Sequence, residues 1–458
     1  MTARVSLISI RQLNAAFLGT LCLFLIYALF PGRFDTDSGG MYAQSAGLFR
    51  SEDWASPLLE MFMSVGRRVA EGPAPLFVLQ LMSWCFGLFL LTDFLIQRGH
   101  RLSALCISIG CAAPLVSFIF IDVNKDTALA ALGSPLIACA VRTSLSDRRP
   151  HPLQQAGLAM LAIAFVGMRN NAIVALAPLI CAWAWIVYGP PRGSWLRGAD
   201  VALGVTLALV AGNKIIEYGL LKAHRSHIER ALFVFDLAGI DADANASAGA
   251  EVLGPEFPRR VRACYTPKLW DAFEWGACKE VGARSAELSR TAAGRAALHG
   301  AWIKAISQHP LAYLRHRAKS FDALNRIDCD ADCSGLMTGG VSLVRPWKPG
   351  TVDRISRAAL FLERLANDQY VGVLGRGVLW LGLLTLSMGI LAVRLWRDRT
   401  DRFALLTFAI GASGLLYDIT LFLIGVAYPL RYLHWTVMTA IIAAAMTFST
   451  LVHRRAEP

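Results

Sequence analysis

Apolar stretches long enough to cross a bilayer recur along the chain, parted by short polar breaks. About ten such runs, of roughly 17 to 22 residues, cover 13–30, 74–96, 102–121, 127–141, 154–168, 172–188, 201–216, 371–393, 403–425 and 433–452. A helix rising about 1.5 Å per residue needs about that length to cross about 30 Å of hydrocarbon. The pattern predicts about ten transmembrane helices. No small-residue cleavage site follows the first run before the Asp35 loop, so it reads as a retained helix rather than a signal peptide.

Two polar breaks are long enough to hold structure of their own, 31–73 and 217–370. Within the second, 291–308 and 311–324 show helical spacing of apolar residues, with His309-Pro310 as the boundary between them. The expected organisation is an N-terminal transmembrane unit (1–216) with a first outer loop (31–73), a mostly helical extracytoplasmic domain (217–370) and C-terminal transmembrane helices (371–458). The fold class is therefore an all-α integral membrane protein. Neither an internal repeat nor a broken helix is evident from the pattern.

Composition agrees. Hydrophobic residues make up 55% of the chain and charged ones 17%, with a mean hydropathy of +0.46, which excludes an ordinary soluble domain. The formal charge of +12 would point to nucleic acid in a soluble protein; here it reports orientation. Arg4 and Arg11, Arg98 and Arg101, Arg142 with Arg148 and Arg149, Arg192 and Arg197, the 394–402 group, and Arg454 with Arg455 fall in alternate loops. Arginine-rich loops stay cytoplasmic, so both termini are expected inside the cytoplasmic membrane of a bacterial-type cell, with 31–73 and 217–370 outside. Six cysteines lie in apolar runs and read as packing, whereas Cys264, Cys278, Cys329 and Cys333 belong to the outer region and would form two disulfides. Proximity favours Cys264–Cys278 and Cys329–Cys333 among three connectivities.

Candidate chemistry gathers at the outer ends of the apolar runs. FDTDSGG places Asp35 and Asp37 just beyond the first; in an extended segment they would share a face, and a carboxylate there can take a proton from an attacking hydroxyl. A solvated Asp-Gly turn is the plain alternative. DVNKDT carries Lys125 and Asp126 between the third and fourth runs, RNN carries Arg169, Asn170 and Asn171 between the fifth and sixth, and YPLRYLHW carries Arg431, Tyr432 and His434 before the last. Arginine forks to phosphate, and asparagine amides hold sugar hydroxyls. Each cation alone would snorkel to lipid headgroups; three together point to an anionic ligand. Asp418, inside the ninth run, needs a partner, and Arg431 is the candidate. Lys214 and Glu217 read as a local pair, and GLMTGGVSLVRPWKPG (335–350) as either a loop over a lipid-facing site or a plain connection.

In their order and common sidedness these motifs, FDTDSGG, NKDTALAAL, MRNNAIVALAP and YPLRYLHW, resemble those of the GT-C superfamily of membrane glycosyltransferases. The resemblance covers the membrane unit and not the outer domain. It implies a sugar donor linked to polyprenyl phosphate, a glycan or lipid-linked acceptor, and inverting transfer at the outer face in cell-envelope polysaccharide biosynthesis. By the same likeness Asp37, or else Asp35, is the base, and Lys125, Arg169 and Arg431 contact the donor phosphate. Asp126, Asn170, Asn171, Tyr432 and His434 are then substrate contacts. Some members of the superfamily use a divalent metal, which Asp35 and Asp37 would hold. Two rivals bind the same headgroups: a flippase for a lipid-linked saccharide, and a polysaccharide polymerase or ligase.

Overall fold

The computed structural model describes residues 9–48, 50–146, 151–189, 194–328 and 357–453. Among these the chain is all helix, with isolated bridges in place of sheet. The N-terminal unit runs α1 (Ile10–Leu29), α2 (Thr36–Ser45), α3 (Pro57–Arg67), α4 (Ala74–Gln97), α5 (Arg101–Ala112), α6 (Pro114–Ser117), α7 (Lys125–Leu145), α8 (Pro152–Met168), α9 (Ala172–Tyr188) and α10 (Trp195–Lys214). The region expected outside forms a further layer, termed the outer layer: α11 (Glu229–Ala244), α12 (Ala250–Leu253), α13 (Phe257–Cys264), α14 (Lys279–Ser289), α15 (Ala292–Gln308) and α16 (Pro310–Asn325). The chain closes with α17 (Arg357–Val371), α18 (Gly377–Arg397), α19 (Arg402–Ile424) and α20 (His434–His453).

Seven helices are long and apolar enough to cross a membrane, or eight if one bent pair counts as a single span. That is the make-up of a multi-pass membrane protein, with fewer full spans than the ten expected. The fifth and sixth apolar runs form α8 and α9, of 17 residues each, shorter than the seven full spans. The third is broken. Pro114 lacks an amide donor and disfavours helical geometry in the residue before it, and the chain bends by 63° between Arg101–Ala112 and Pro114–Ile121. The expectation of unbroken helices is corrected there.

Burial separates inner from outer helices. The spans built on α7 and α20 are 72% buried, whereas the α10 span is 11% buried and turns Leu203, Leu207 and Val210 outward, as a lipid-facing helix does. Small residues let the central helices meet closely: an added Cβ at Gly87 of α4 would lie 2.2 Å from the Pro135 nitrogen of α7, and one at Gly133 would lie 2.0 Å from the Trp435 ring of α20. The arginine-rich ends also converge. Arg11 pairs with Asp93 at 2.7 Å, Arg98 donates to the Leu145 carbonyl at 2.7 Å, and Arg394 donates to the Thr450 carbonyl at 2.8 Å.

The outer layer has its own apolar core, including Phe235, Phe257, Trp270, Phe273 and Leu298, with Trp54 of the first loop and Val426 packed against it. Cys264 and Cys278 form the expected disulfide there. Cys329, Cys333 and the 335–350 segment lie outside the described residues. A buried ionic group ties this layer to the membrane unit: Asp236 accepts from Trp302 at 2.8 Å and pairs with Arg317 at 2.5 Å, and Arg317 also donates to the Gly425 carbonyl just past α19 at 2.7 Å. Asp53 makes a second tie, accepting from the Tyr218 hydroxyl at 2.7 Å and the Ser226 hydroxyl at 2.6 Å. The amphipathic α17 packs Ala359, Leu362, Ala366 and Tyr370 into the core of the membrane unit.

Candidate functional site

Two helix caps build the site. Asp35 and Asp37 do not share an extended segment: Asp35 is the N-cap of α2, and Asp37 lies in the first turn. The sequence Asp35-x-x-Ser38 closes a reciprocal cap. Asp35 Oδ1 accepts from the Ser38 N–H and hydroxyl, both at 2.8 Å, and the Asp35 N–H donates to Ser38 Oγ at 2.9 Å. Asn124 caps α7 in the same way, accepting from the N–H groups of Asp126 at 2.9 Å and Thr127 at 3.0 Å. Its amide then donates to Asp35 Oδ2 at 2.9 Å, which locks the two helix starts together.

A buried Arg33–Asp122 ion pair and a parallel bridge brace this junction, the Arg33 N–H donating to the Ile121 carbonyl at 2.8 Å and the Val123 N–H to the Arg33 carbonyl at 2.9 Å. Burial pushes the Asp122 carboxyl up to about 6, and Arg33 opposes that shift.

Arg431, on the short turn before α20, sits at the centre. Its Nη1 pairs with Asp35, its Nη2 donates to Asp37 Oδ2 at 2.8 Å, and its Nε lies 3.5 Å from Asp126 Oδ2. Arg169, at the end of α8, pairs with the other oxygen of Asp126 and lies 4.8 Å over the Tyr432 ring. Lys125 Nζ reaches the Trp54 carbonyl at 3.5 Å and stands in the field of Asp37, Asp126, Arg169 and Arg431. Four motifs far apart in sequence thus meet at one place. Three acids and three bases balance there, and they differ in access: the Asp37 side chain is 54% exposed, those of Asp35 and Asp126 only 2%.

The remaining sequence candidates lie around this cluster. Asn170 accepts from Lys214 at 3.4 Å, and Lys214 pairs with Glu217 at 2.7 Å as expected, at the π-helical turn Ile215–Leu220. Asn171 is buried and donates to the Thr420 hydroxyl at 2.9 Å, a helix-to-helix contact. His434 is buried, donates from Nε2 to the Val116 carbonyl at 3.1 Å and packs edge-on to Phe120. Asp418 does not pair with Arg431. It is fully buried, with Asn325 as its polar neighbour.

The carboxylates do not suit a metal as they stand. Asp35 and Asp37 both direct an oxygen at the Arg431 guanidinium, whose charge already meets theirs. No group of three or more His, Cys, Asp or Glu side chains with metal-binding geometry occurs among the described residues.

The outer layer supplies residues that sequence reasoning passed over. The Trp270 N–H donates to the Val426 carbonyl at 3.1 Å, the Trp270 and Trp54 rings lie 5.6 Å apart, and Arg230, held by Glu274 at 2.7 Å, sits 5.1 Å over Trp54. Next along the chain, Asp271 overhangs the cluster: burial and then the nearby Asp37 charge push its carboxyl up, and Arg431 opposes them. No local pattern in KLWDAFEWG marks this contact. Asn124, by contrast, carries a local signal that sequence reasoning did not use, an Asn-x-x-Thr cap. Compared with protein families, curated proteins and solved structures, the chain matches none.

Proposed function

We propose that the protein is an inverting glycosyltransferase of GT-C type, moving a sugar from a polyprenyl-phosphate donor to a glycan or lipid-linked acceptor at the outer face of a bacterial-type cytoplasmic membrane. The observation that carries this reading is one exposed carboxylate, Asp37, held on the guanidinium of Arg431 at 2.8 Å, with Arg169 and Lys125 converging on the same cluster. The arginine-rich ends gather together away from it, which fits a cytoplasmic side opposite the site.

In this reading the donor phosphate binds to Arg431 and Arg169 and takes the place of Asp37 on the Arg431 fork. Anion exchange at one guanidinium then frees the base only when donor is present. Asp37 accepts the proton of the acceptor hydroxyl as its oxygen bonds to the anomeric carbon from the face opposite the phosphate. The carbon–oxygen bond to phosphate breaks, and the polyprenyl phosphate leaves with the electron pair, its charge met by the arginines and Lys125. Asp35 keeps Arg431 in place throughout, since its own oxygens are taken up by Ser38, Asn124 and Arg431.

A flippase for a lipid-linked saccharide is the second reading, favoured by the broken span at Ala112 and Pro114, because transporters build substrate sites on discontinuous helices. Protein in lipid, given labelled sugar on a panel of polyprenyl-phosphate donors together with candidate acceptors, separates the two. Transfer to an acceptor supports the enzyme. Movement of intact donor between leaflets with no transfer supports the flippase.

A further inference from the structure

A concave feature lies in the outer layer, apart from the Asp37–Arg431 cluster. It is a cleft of about 400 Å³ whose walls include Arg225, His227, Arg230, Phe233, Arg295 and His299, a size within the range of small-ligand sites. Its charge is mostly positive. Glu229 is engaged by His227 at 3.1 Å and Arg230 by Glu274, while Arg225 is exposed and forms no ion pair among the described residues. Arg295 is steadied by its donation to the Ser289 carbonyl at 2.8 Å. The wall also carries rings: Phe233 lies 5.5 Å from His299, and Trp302 backs Phe233 at 4.7 Å.

Fixed guanidiniums recognise phosphate or carboxylate, and aromatic faces take the C–H face of a sugar ring. The cleft and the catalytic cluster flank one residue, Trp54: Arg230 of the cleft stacks on its ring at 5.1 Å and Lys125 of the cluster binds its carbonyl at 3.5 Å. We infer that this cleft binds an anionic saccharide, one bearing phosphate or carboxylate, and presents it as the acceptor beside the transfer site. The role as acceptor rests on the transferase reading; the binding of an anionic saccharide does not.

Full-length protein in phosphatidylcholine nanodiscs, titrated with glucose 6-phosphate, glucuronic acid, glucose and inorganic phosphate, tests the cleft without any donor. The charged sugars bind at least tenfold more tightly than glucose or inorganic phosphate. Arg225→Gln combined with Arg295→Gln removes that preference, and His299→Ala weakens the sugar phosphate while sparing inorganic phosphate. Arg225→Gln alone, at an exposed residue, gives a partial loss and keeps the test open should the double variant misfold. Equal binding of glucose and its phosphate, or binding untouched by these changes, overturns the inference. So does loss of sugar binding when phosphatidylglycerol is added to the disc, which assigns the cleft to lipid headgroups. Asp37→Asn separates the two claims, since it ends transfer and leaves this binding intact. Transfer that is normal in the Arg225→Gln, Arg295→Gln variant places the acceptor elsewhere.

Discussion

Asp35 and Asp37 are two residues apart and the sequence treats them alike, yet the fold gives them opposite duties. Asp35 is a cap and a buried counter-ion; Asp37 is open. Asp35→Asn therefore loses a buried charge partner of Arg431, worth about 3 to 5 kcal/mol when broken. Asp37→Asn costs less than about 1 kcal/mol, as an exposed pair does. Thermal unfolding in detergent checks this: Asp35→Asn lowers the midpoint clearly and Asp37→Asn leaves it close to wild type, and the reverse order would contradict the assignment of roles.

Glu60 gives a pH prediction at the same scale. It is 4% exposed, one of its oxygens has no hydrogen-bond partner, and burial pushes its carboxyl up to about 7 from an ordinary 4.5. The folded state holds this proton more tightly than the unfolded chain. Its destabilising effect is absent below about pH 4.5, grows at about 1.4 kcal/mol per pH unit, and levels off above about 7 near 3 kcal/mol. Glu60→Gln is accordingly more stable than wild type at pH 8, and the gap closes as pH falls to 4.5. A gap independent of pH would show that Glu60 titrates normally.

At the scale of elements, the close crossing of α4 on α7 leaves no room at Gly87, because the obstacles include the Pro135 backbone as well as a side chain. Gly87→Val overpacks this contact, costs more than about 3 kcal/mol, and sharply lowers the yield of monodisperse protein. Normal yield and melting would mean that the two helices sit farther apart. The membrane character and the order of the helices were legible because lipid demands long apolar runs, but their number was not: ten runs give seven or eight full spans. The break at Pro114 was not read, because hydropathy carries smoothly across it; the missing amide of Pro114 is the signal that marks it. In FDTDSGG period-two spacing and the Asp-x-x-Ser cap compete, and the cap wins because it satisfies the free amides of a helix start.

Across the whole molecule, the cluster depends on contacts between segments hundreds of residues apart. Asp35 and Arg431 are separated by 396 positions and meet only because α2, α7 and the turn before α20 share one end of the bundle. Sequence order and sidedness were enough to group these motifs. They could not place Asp271 or Trp54, whose roles arise from the outer layer docking on the membrane unit through Val426, Gly425 and Arg317. The Cys264–Cys278 disulfide closes a 14-residue separation inside that layer and contributes about 3 kcal/mol by loop closure. Cys264→Ser with Cys278→Ser should lower the unfolding midpoint of the outer layer, seen as faster limited proteolysis within 217–325; unchanged cleavage would show that packing alone holds it.

The central claim is that an exposed Asp37, released from Arg431 by donor phosphate, removes the acceptor proton. The most direct measurement compares sugar transfer by wild type and Asp37→Asn in the same lipid, with both proteins matched for melting temperature. A fall in rate of about 100-fold or more, the usual size of a general-base contribution, with donor binding retained, is the predicted result. Equal rates in the two proteins would remove Asp37 from the chemistry and the account with it.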